Sequence, residues 1–387
     1  MEEIYLDQAA TTQPYKEVVD AMLPYLTEDY YNPSALYSNG AKTKRAIDNA
    51  KDVVAKFIGA NSDEIYFTSG SSEANCTAIL GFILNRAANF EMCSVITTKI
   101  EHKSIKSLVE TYDGSPFCEF ELLDVDENGV VNENELVAAI EYMMMRMPPK
   151  NILVSIQDAN NEVGVIQDTI RIAKIVHKYG CVFHVDATQS FGVGMIRADM
   201  GVDMLSASAH KIHGPKGVGI LYKRDGIEIN PIIYGSQMNG LRGGTENVAG
   251  IVGMAKAVEL IANDNVKLIN KRNLFIDKLL SIGCKVNGDR YKRLPNNISV
   301  QLPEGIGGEE MLYMLDLDGI MIGTGSACNS RSKEPSFVLK AIGLSDDESA
   351  RTIRITISND ISDEQIQYVV DEIEKAIKIL GSNDSGI

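Results

Sequence analysis

Hydrophobic and polar positions alternate along this chain in two rhythms. Short apolar runs, Ile65-Tyr66-Phe67-Thr68, Ser94-Val95-Ile96-Thr97-Thr98, Phe117 to Leu123, Ile152 to Ile156, Val182-Phe183-His184-Val185 and Asp203 to Ala207, read as strands. Between them the spacing turns helical. After the Asn32-Pro33-Ser34 turn, Ala46, Ile47, Ala50, Val53, Val54 and Phe57 recur at helical intervals up to about Gly59, and another helix is predicted near Ile170 to Tyr179. Repetition of strand, loop and helix implies a largely parallel sheet. Further on, a helix predicted from Val248 to about Arg272 bridges to a smaller unit. Its strands are Lys285 to Gly288, Ile298 to Val300 and Ile353 to Thr356, and an acid-rich helix near Asp363 to Leu380 closes it. Residues 381–387 are expected to fray. A chain of 387 residues can bury one large core and a smaller second one. Domains are therefore placed at 15–260 and 261–387, joined by the N-terminal segment 1–14.

The strand ends carry the chemistry. The run Val182 to Val185 delivers Asp186 at its C-terminal end, where open α/β sheets place their ligands. The next run ends in Ser208-Ala209-His210-Lys211, ahead of the turn His213-Gly214-Pro215-Lys216-Gly217. A lysine held in a cleft is suited to forming a Schiff base. With Gln189 close behind Asp186, an acid, an amide and a lysine at two successive strand ends are what pyridoxal phosphate (PLP) requires: the lysine condenses with the aldehyde, and the carboxylate keeps the pyridine nitrogen protonated. Taken singly, such an Asp is equally a helix cap and such a lysine is usually solvated. The combination is the signal. Upstream, Ser69-Gly70-Ser71-Ser72-Glu73 opens a helix whose free N–H groups and dipole favour an anion, although the same residues also read as a plain capping turn.

Charge and cysteine usage narrow the classes. A net charge of −16 argues against a nucleic-acid partner. The opening MEEIYLDQAATT is acidic and no long apolar run follows, so neither a signal peptide nor a membrane anchor is expected and the location is read as cytoplasmic. Six scattered cysteines without a paired CxxC spacing suit reduced thiols better than a disulfide frame or a zinc site. Asp124 to Gly129 with Glu135 fits calcium-loop spacing, but that loop needs a helix before it, where Phe117 to Leu123 reads as a strand. No metal is therefore expected. A dinucleotide site is excluded because no GxGxxG follows the first strand.

The motif order HVDATQS, then SAHK, then GPKGVG resembles the PLP-dependent cysteine desulfurases of the NifS and IscS type, within the class V aminotransferase family, and the resemblance covers nearly the whole chain. It implies an α/β fold, PLP fold type I: a large domain with a mainly parallel mixed sheet between helices, plus a smaller α+β domain. It also implies that Asp186 meets the pyridine nitrogen, Gln189 the ring hydroxyl, Ser208 and His210 the phosphate, and Lys211 the aldehyde. The Ser69 to Glu73 turn matches the family's phosphate turn, which gives Ser71 and Ser72 that role. Glu101-His102-Lys103-Ser104 resembles the TEHKS-like motif, so His102 would stack on the ring and handle protons. Asn160 to Val165 resembles the NNEIGV loop, whose second Asn, here Asn161, reaches cofactor and substrate. Leu241 to Asn247 resembles a segment whose threonine, Thr245, contacts the neighbouring subunit's cofactor, which implies a homodimer. Gly323 to Ser330 resembles the GSAC loop that carries the nucleophile, Cys328, and Arg354 in TIRITIS matches the arginine that forks onto the substrate carboxylate. Two departures stand out: Gln8 replaces the usual Asn of YLDNAATT, and Thr356 to Asp360 replaces the SLG ending.

The activity so implied converts L-cysteine to L-alanine, with Lys211 as base and Cys328 taking the sulfur. The sulfur then passes to an acceptor protein such as an iron–sulfur scaffold or a thiolation carrier. Competing readings are a selenocysteine lyase or other PLP β-lyase on the same fold, and a non-catalytic PLP-binding protein. The joint presence of Asp186, Lys211, Cys328 and Arg354 argues against the last.

Overall fold

The computed structural model describes residues 3–193, 196–262, 265–324 and 335–383. The chain opens with a two-residue strand, β1 (Ile4–Tyr5), and two helices, α1 (Lys16–Thr27) and α2 (Ser38–Ile58). The main sheet is then laid down with helices between its strands: β2 (Ile65–Thr68), α3 (Ser71–Ala88), β3 (Cys93–Thr98), α4 (Lys103–Tyr112), β4 (Cys118–Leu123) and α5 (Glu133–Met144). It continues with β5 (Ile152–Gln157), α6 (Thr169–Lys178), β6 (Val182–Asp186), β7 (Met204–Ser208) and β8 (Gly219–Lys223). Its seven strands lie in the order β2-β8-β7-β6-β5-β3-β4. Only β8 runs against its neighbours, β2 and β7; the remaining pairs are parallel. After β3 the chain moves outward to β4 and then returns to the other side of β3 as β5, so strand order reverses there. Ligands bind at the carboxyl ends of strands beside such a switch.

Helices α7 (Val248–Glu259) and α8 (Val266–Ser281) follow. The single helix predicted from Val248 to about Arg272 is thus two. Val248, Ile251, Met254 and Val258 of α7 pack in the core of the main sheet, whereas Leu268, Phe275, Ile276 and Leu279 of α8 belong to a second core. One straight rod cannot face both, and Asn265, a residue type whose side chain competes for backbone groups, stands just ahead of α8.

The second core is built on β9 (Lys285–Val286), β10 (Asn297–Gln301), α9 (Gly308–Leu317), β11 (Ile320–Met321) and β12 (Gly323–Thr324). It is completed by β13 (Thr352–Thr356) and α12 (Asp363–Asn383), while the short helices α10 (Phe337–Ala341), which packs in a separate small cluster with Ile100 and Val163, and α11 (Asp346–Ala350) precede β13. Its antiparallel sheet has the order β12-β13-β10-β9. Of the residues expected to fray, 381–383 still belong to α12, and the remainder lie outside the described residues. The amino terminus joins this second core: β1 pairs with β11, and Ile4 and Leu6 are buried in it. No helix among the described residues is long and apolar enough to cross a membrane.

Candidate active site

At the end of β6, Asp186 is buried and both carboxylate oxygens are held. Oδ1 accepts from Thr188 N at 2.9 Å and from the Thr188 hydroxyl, and Oδ2 accepts from Asn75 Nδ2 at 2.8 Å. Asn75 also donates to Ser104 Oγ at 3.0 Å, and that hydroxyl lies 2.9 Å from His102 Nδ1. His102 caps α4, its Nδ1 accepting from Ser104 N at 3.1 Å. An accepting Nδ1 leaves the proton of the neutral ring on Nε2. Burial lowers the His102 pKa; the Lys211 and Lys103 charges act the same way, against Asp186.

Lys211 follows β7 in the turn Ala209–Lys211, and its Nζ donates to Ala9 O and, at 2.8 Å, to Ala10 O. Gln189 Nε2 donates to the same Ala9 O at 3.1 Å. The N-terminal segment therefore forms one wall of the site. It is fastened by Thr12 N to His210 O at 2.8 Å and by Ala9 N to Thr356 Oγ1 at 2.9 Å. Asp186, His102, Gln189, Lys211, Asn161 and Arg354 all line one cavity of about 330 Å³.

A second cavity of about 320 Å³ shares Ala10, Ser71, Ser72 and His210 with the first and adds Ser208 and Lys216. The first turn of α3 lines it, so free backbone N–H groups sit among hydroxyls and a lysine, as an anion requires. Glu73 in that turn is met by Arg242 at 2.9 and 3.3 Å and by Ser69 N at 2.9 Å. Burial opposes its ionisation, but these bonds hold its carboxyl below the usual range. Burial, then Lys211 and Lys216, pushes His210 down to about 4, so it meets this cavity as a neutral ring.

Arg354 is buried on β13, Nη2 at 2.7 Å from Asp7 Oδ1 and Nη1 at 3.1 Å from Asn161 O. Its Nε is buried without a hydrogen-bond partner among the described residues. An oriented guanidinium with a donor to spare suits a carboxylate. The structure thus brings together Ser71, Ser72, His102, Asn161, Asp186, Gln189, Ser208, His210, Lys211 and Arg354. Thr245 is exposed and lines a different cavity with Tyr30, Asn32 and Asn247, so it does not meet Lys211 of its own chain. Cys328 lies outside the described residues, but its flanks are placed: Gly323 pairs with Arg354, and Ser336 bonds to Glu162.

Sequence reasoning missed Asn75, Thr188 and Asp7. Asn75 left a readable trace, a polar residue beside the apolar positions Ala74, Ala78 and Ile79 of α3, all of them buried. Asp7 lies in the segment that resembles YLDNAATT, but nothing local pairs it with Arg354, 347 residues away. The segment with calcium-loop spacing is a turn in which Asp126 Oδ1 accepts from Asn128 N at 2.9 Å and Val130 N at 2.8 Å, and it follows strand β4 as expected.

The class V aminotransferase model matches residues 4–369. The chain belongs to that family. Within it, the chain is 42% identical to a cysteine desulfurase IscS of Dictyoglomus turgidum over 98% of this chain and 95% of the relative. It is 39% identical to an IscS of Methanosarcina thermophila over 97% and 92%. A solved NifS-like protein superposes with a TM-score of 0.88 at 32% identity, covering 98% of this chain and all of the other. SspA in complex with cysteine gives 0.79 at 33% identity over 92% and 98%. The cofactor of class V aminotransferases is PLP, and the site fits it. A buried, doubly held carboxylate stands on the floor with a lysine on the wall, an anion cradle opens beside them, and Asn75 Oδ1 and Arg354 Nε are buried without partners among the described residues.

Proposed function

We propose that this class V aminotransferase is a cysteine desulfurase. The observation that carries the reading is Arg354, aimed into the Lys211 cavity while its strand neighbour Gly323 leads into the segment bearing Cys328. Asp186 would hold the pyridine nitrogen of PLP, Gln189 its ring hydroxyl, and Ser71, Ser72, Ser208 and His210 its phosphate. Bound PLP supplies an electron sink for the pair released at the substrate α-carbon. Arg354 takes the carboxylate of L-cysteine, and Asn161, whose carbonyl orients Arg354, lines the same wall. Lys211 Nζ moves the α-proton and His102 Nε2 handles protons above the floor.

Cys328 thiolate attacks the substrate sulfur: the carbon–sulfur bond breaks, a sulfur–sulfur bond forms, and a proton goes to the former β-carbon. The products are L-alanine and a Cys328 persulfide. Four peptide bonds separate Thr324 from Cys328, at most ~14 Å of extended chain, which is within reach of a substrate on Arg354. The other cysteines support this choice. All five described are unpaired; burial pushes Cys181 and Cys284 up to about 12 and raises Cys76, and Cys118 is raised first by its contact with Cys93.

The reading includes a homodimer in which Thr245 serves the partner's site, domains at 15–260 and 261–387, a cytoplasmic location, and a sulfur-acceptor protein. Its test is the absorption spectrum of the holoenzyme before and after L-cysteine, with alanine and alkylated persulfide measured in the same sample. The expected result is a shifted band with catalytic alanine, and loss of persulfide and turnover in Cys328→Ser. Full sulfide and alanine release by Cys328→Ser would sink it.

A further inference from the structure

Glu162 is a buried glutamate that the proposed chemistry does not use. It follows Asn161, and its Oε2 accepts from Ser336 Oγ at 2.5 Å. Burial pushes its carboxyl up to about 7, against the Ser336 hydrogen bond and the charges of Arg354 and Lys103. Burying a carboxyl group is unfavourable unless its partners make use of it.

Ser336 has two tasks. Its hydroxyl caps α10, accepting from Val338 N and Leu339 N at 3.2 Å each, and it donates to Glu162. Helix α10 rests on an apolar bed: Val338, Leu339 and Ile342 pack with Ile100, Val163 and Val165. Apolar contact is non-directional and holds the helix down without fixing where its first residue points. The Glu162–Ser336 bond is directional, and it places the start of α10 one residue from Asn161, whose carbonyl holds Arg354. The opposite flank, Gly323, is paired with Arg354 itself. The chain on either side of Cys328 is therefore fastened beside the same arginine.

We propose that Glu162 and Ser336 form a positioning pair for sulfur transfer, registering the chain that follows Cys328 against the substrate-binding Asn161–Arg354 wall. The proposal rests on the desulfurase reading and adds to it a residue pair that acts on one step only. Binding of L-cysteine at PLP should not need the pair; delivery of the thiol should.

The test separates those steps in the PLP-loaded enzyme. Rapid mixing with L-cysteine reads the change in cofactor absorbance, and quenched alkylation with mass measurement reads persulfide on Cys328. Glu162→Ala and Ser336→Ala are each expected to slow persulfide formation about tenfold, the scale of one lost hydrogen bond to a charged group. Both should leave the cysteine concentration for half-maximal absorbance change within about twofold of wild type. The double variant should be no slower than either single one, and Glu162→Gln and Ser336→Thr, which keep the bond, should restore most of the rate. Equal losses in both readouts, additive losses in the double variant, or persulfide formation in Ser336→Ala at the wild-type rate would each overturn the pair. If Glu162→Ala does not fold, Ser336→Ala with its Thr rescue decides. Cys328→Ser run alongside keeps the layers apart: alanine release at the wild-type rate in that variant would remove the desulfurase reading itself.

Discussion

Asp186 has little freedom left: three donors from two residues fix its carboxylate, and one of those donors, Asn75, connects it through Ser104 to His102. Asn75→Ala leaves a buried carboxylate oxygen short of a partner, worth about 1–3 kcal/mol. We expect PLP affinity to fall by about tenfold or more, read by absorbance titration of the apo-protein; unchanged affinity would mean that Thr188 alone orients Asp186. Buried histidines and glutamates in and around the site titrate in opposite senses. Burial depresses His102, and His184 and His210 to about 4; each binds more protons unfolded, so the stability they support is present above about pH 6.5 and lost as pH falls. Burial raises Glu101 to about 8 and Glu162 to about 7; their contribution is full below about pH 4.5 and lost as pH rises through those values. Of these five groups, the glutamates dominate between about pH 7 and 8, where an unfolded histidine has already lost most of its protons. Urea-unfolding free energy should therefore decline across that window, and Glu101→Gln should flatten the decline. An unaltered slope in that variant would contradict the shift.

At the scale of elements, the phosphate turn depends on the strand that pairs beside β2, which lies just ahead of that turn. Gly219, first residue of β8, lies so close to the start of α3 that an added Cβ would be 2.7 Å from Gly70 Cα and 2.6 Å from Ala207 O. Backbone on both sides cannot give way cheaply. Gly219→Ala should destabilise the protein by about 1–3 kcal/mol, as overpacking does, and weaken PLP binding because Gly70 immediately precedes Ser71. Urea midpoints of apo and PLP-loaded protein, compared with wild type, check both effects; wild-type values would show that the turn tolerates displacement. The order of elements was legible, because strands and helices of this chain carry clean apolar periods. The break between α7 and α8 was not: apolar spacing continues through both helices, and only the existence of two cores divides them.

At the scale of the molecule, Thr245 lies in a surface region with exposed apolar neighbours, Leu26 at 59% and Tyr30 at 67% exposure, both lining its cavity. In the homodimer proposed above, Leu26→Asp with Tyr30→Asp should yield monomers by sedimentation velocity, with weaker PLP binding. Thr245→Ala should weaken PLP binding while leaving the dimer whole, and a monomeric wild type would end this reading. What the sequence by itself determined was local: strand ends that deliver Asp186 and Lys211, the glycine and serines opening α3, and the resemblance those motifs carry. Each depends on spacing within a few residues, where backbone geometry leaves few choices. The tertiary structure alone decided that Asp7 clamps Arg354, that Asn75 joins Asp186 to His102, and that Glu162 meets Ser336. Those partners lie far apart in the chain, and their meeting depends on which strands and helices pack side by side, which no local period encodes.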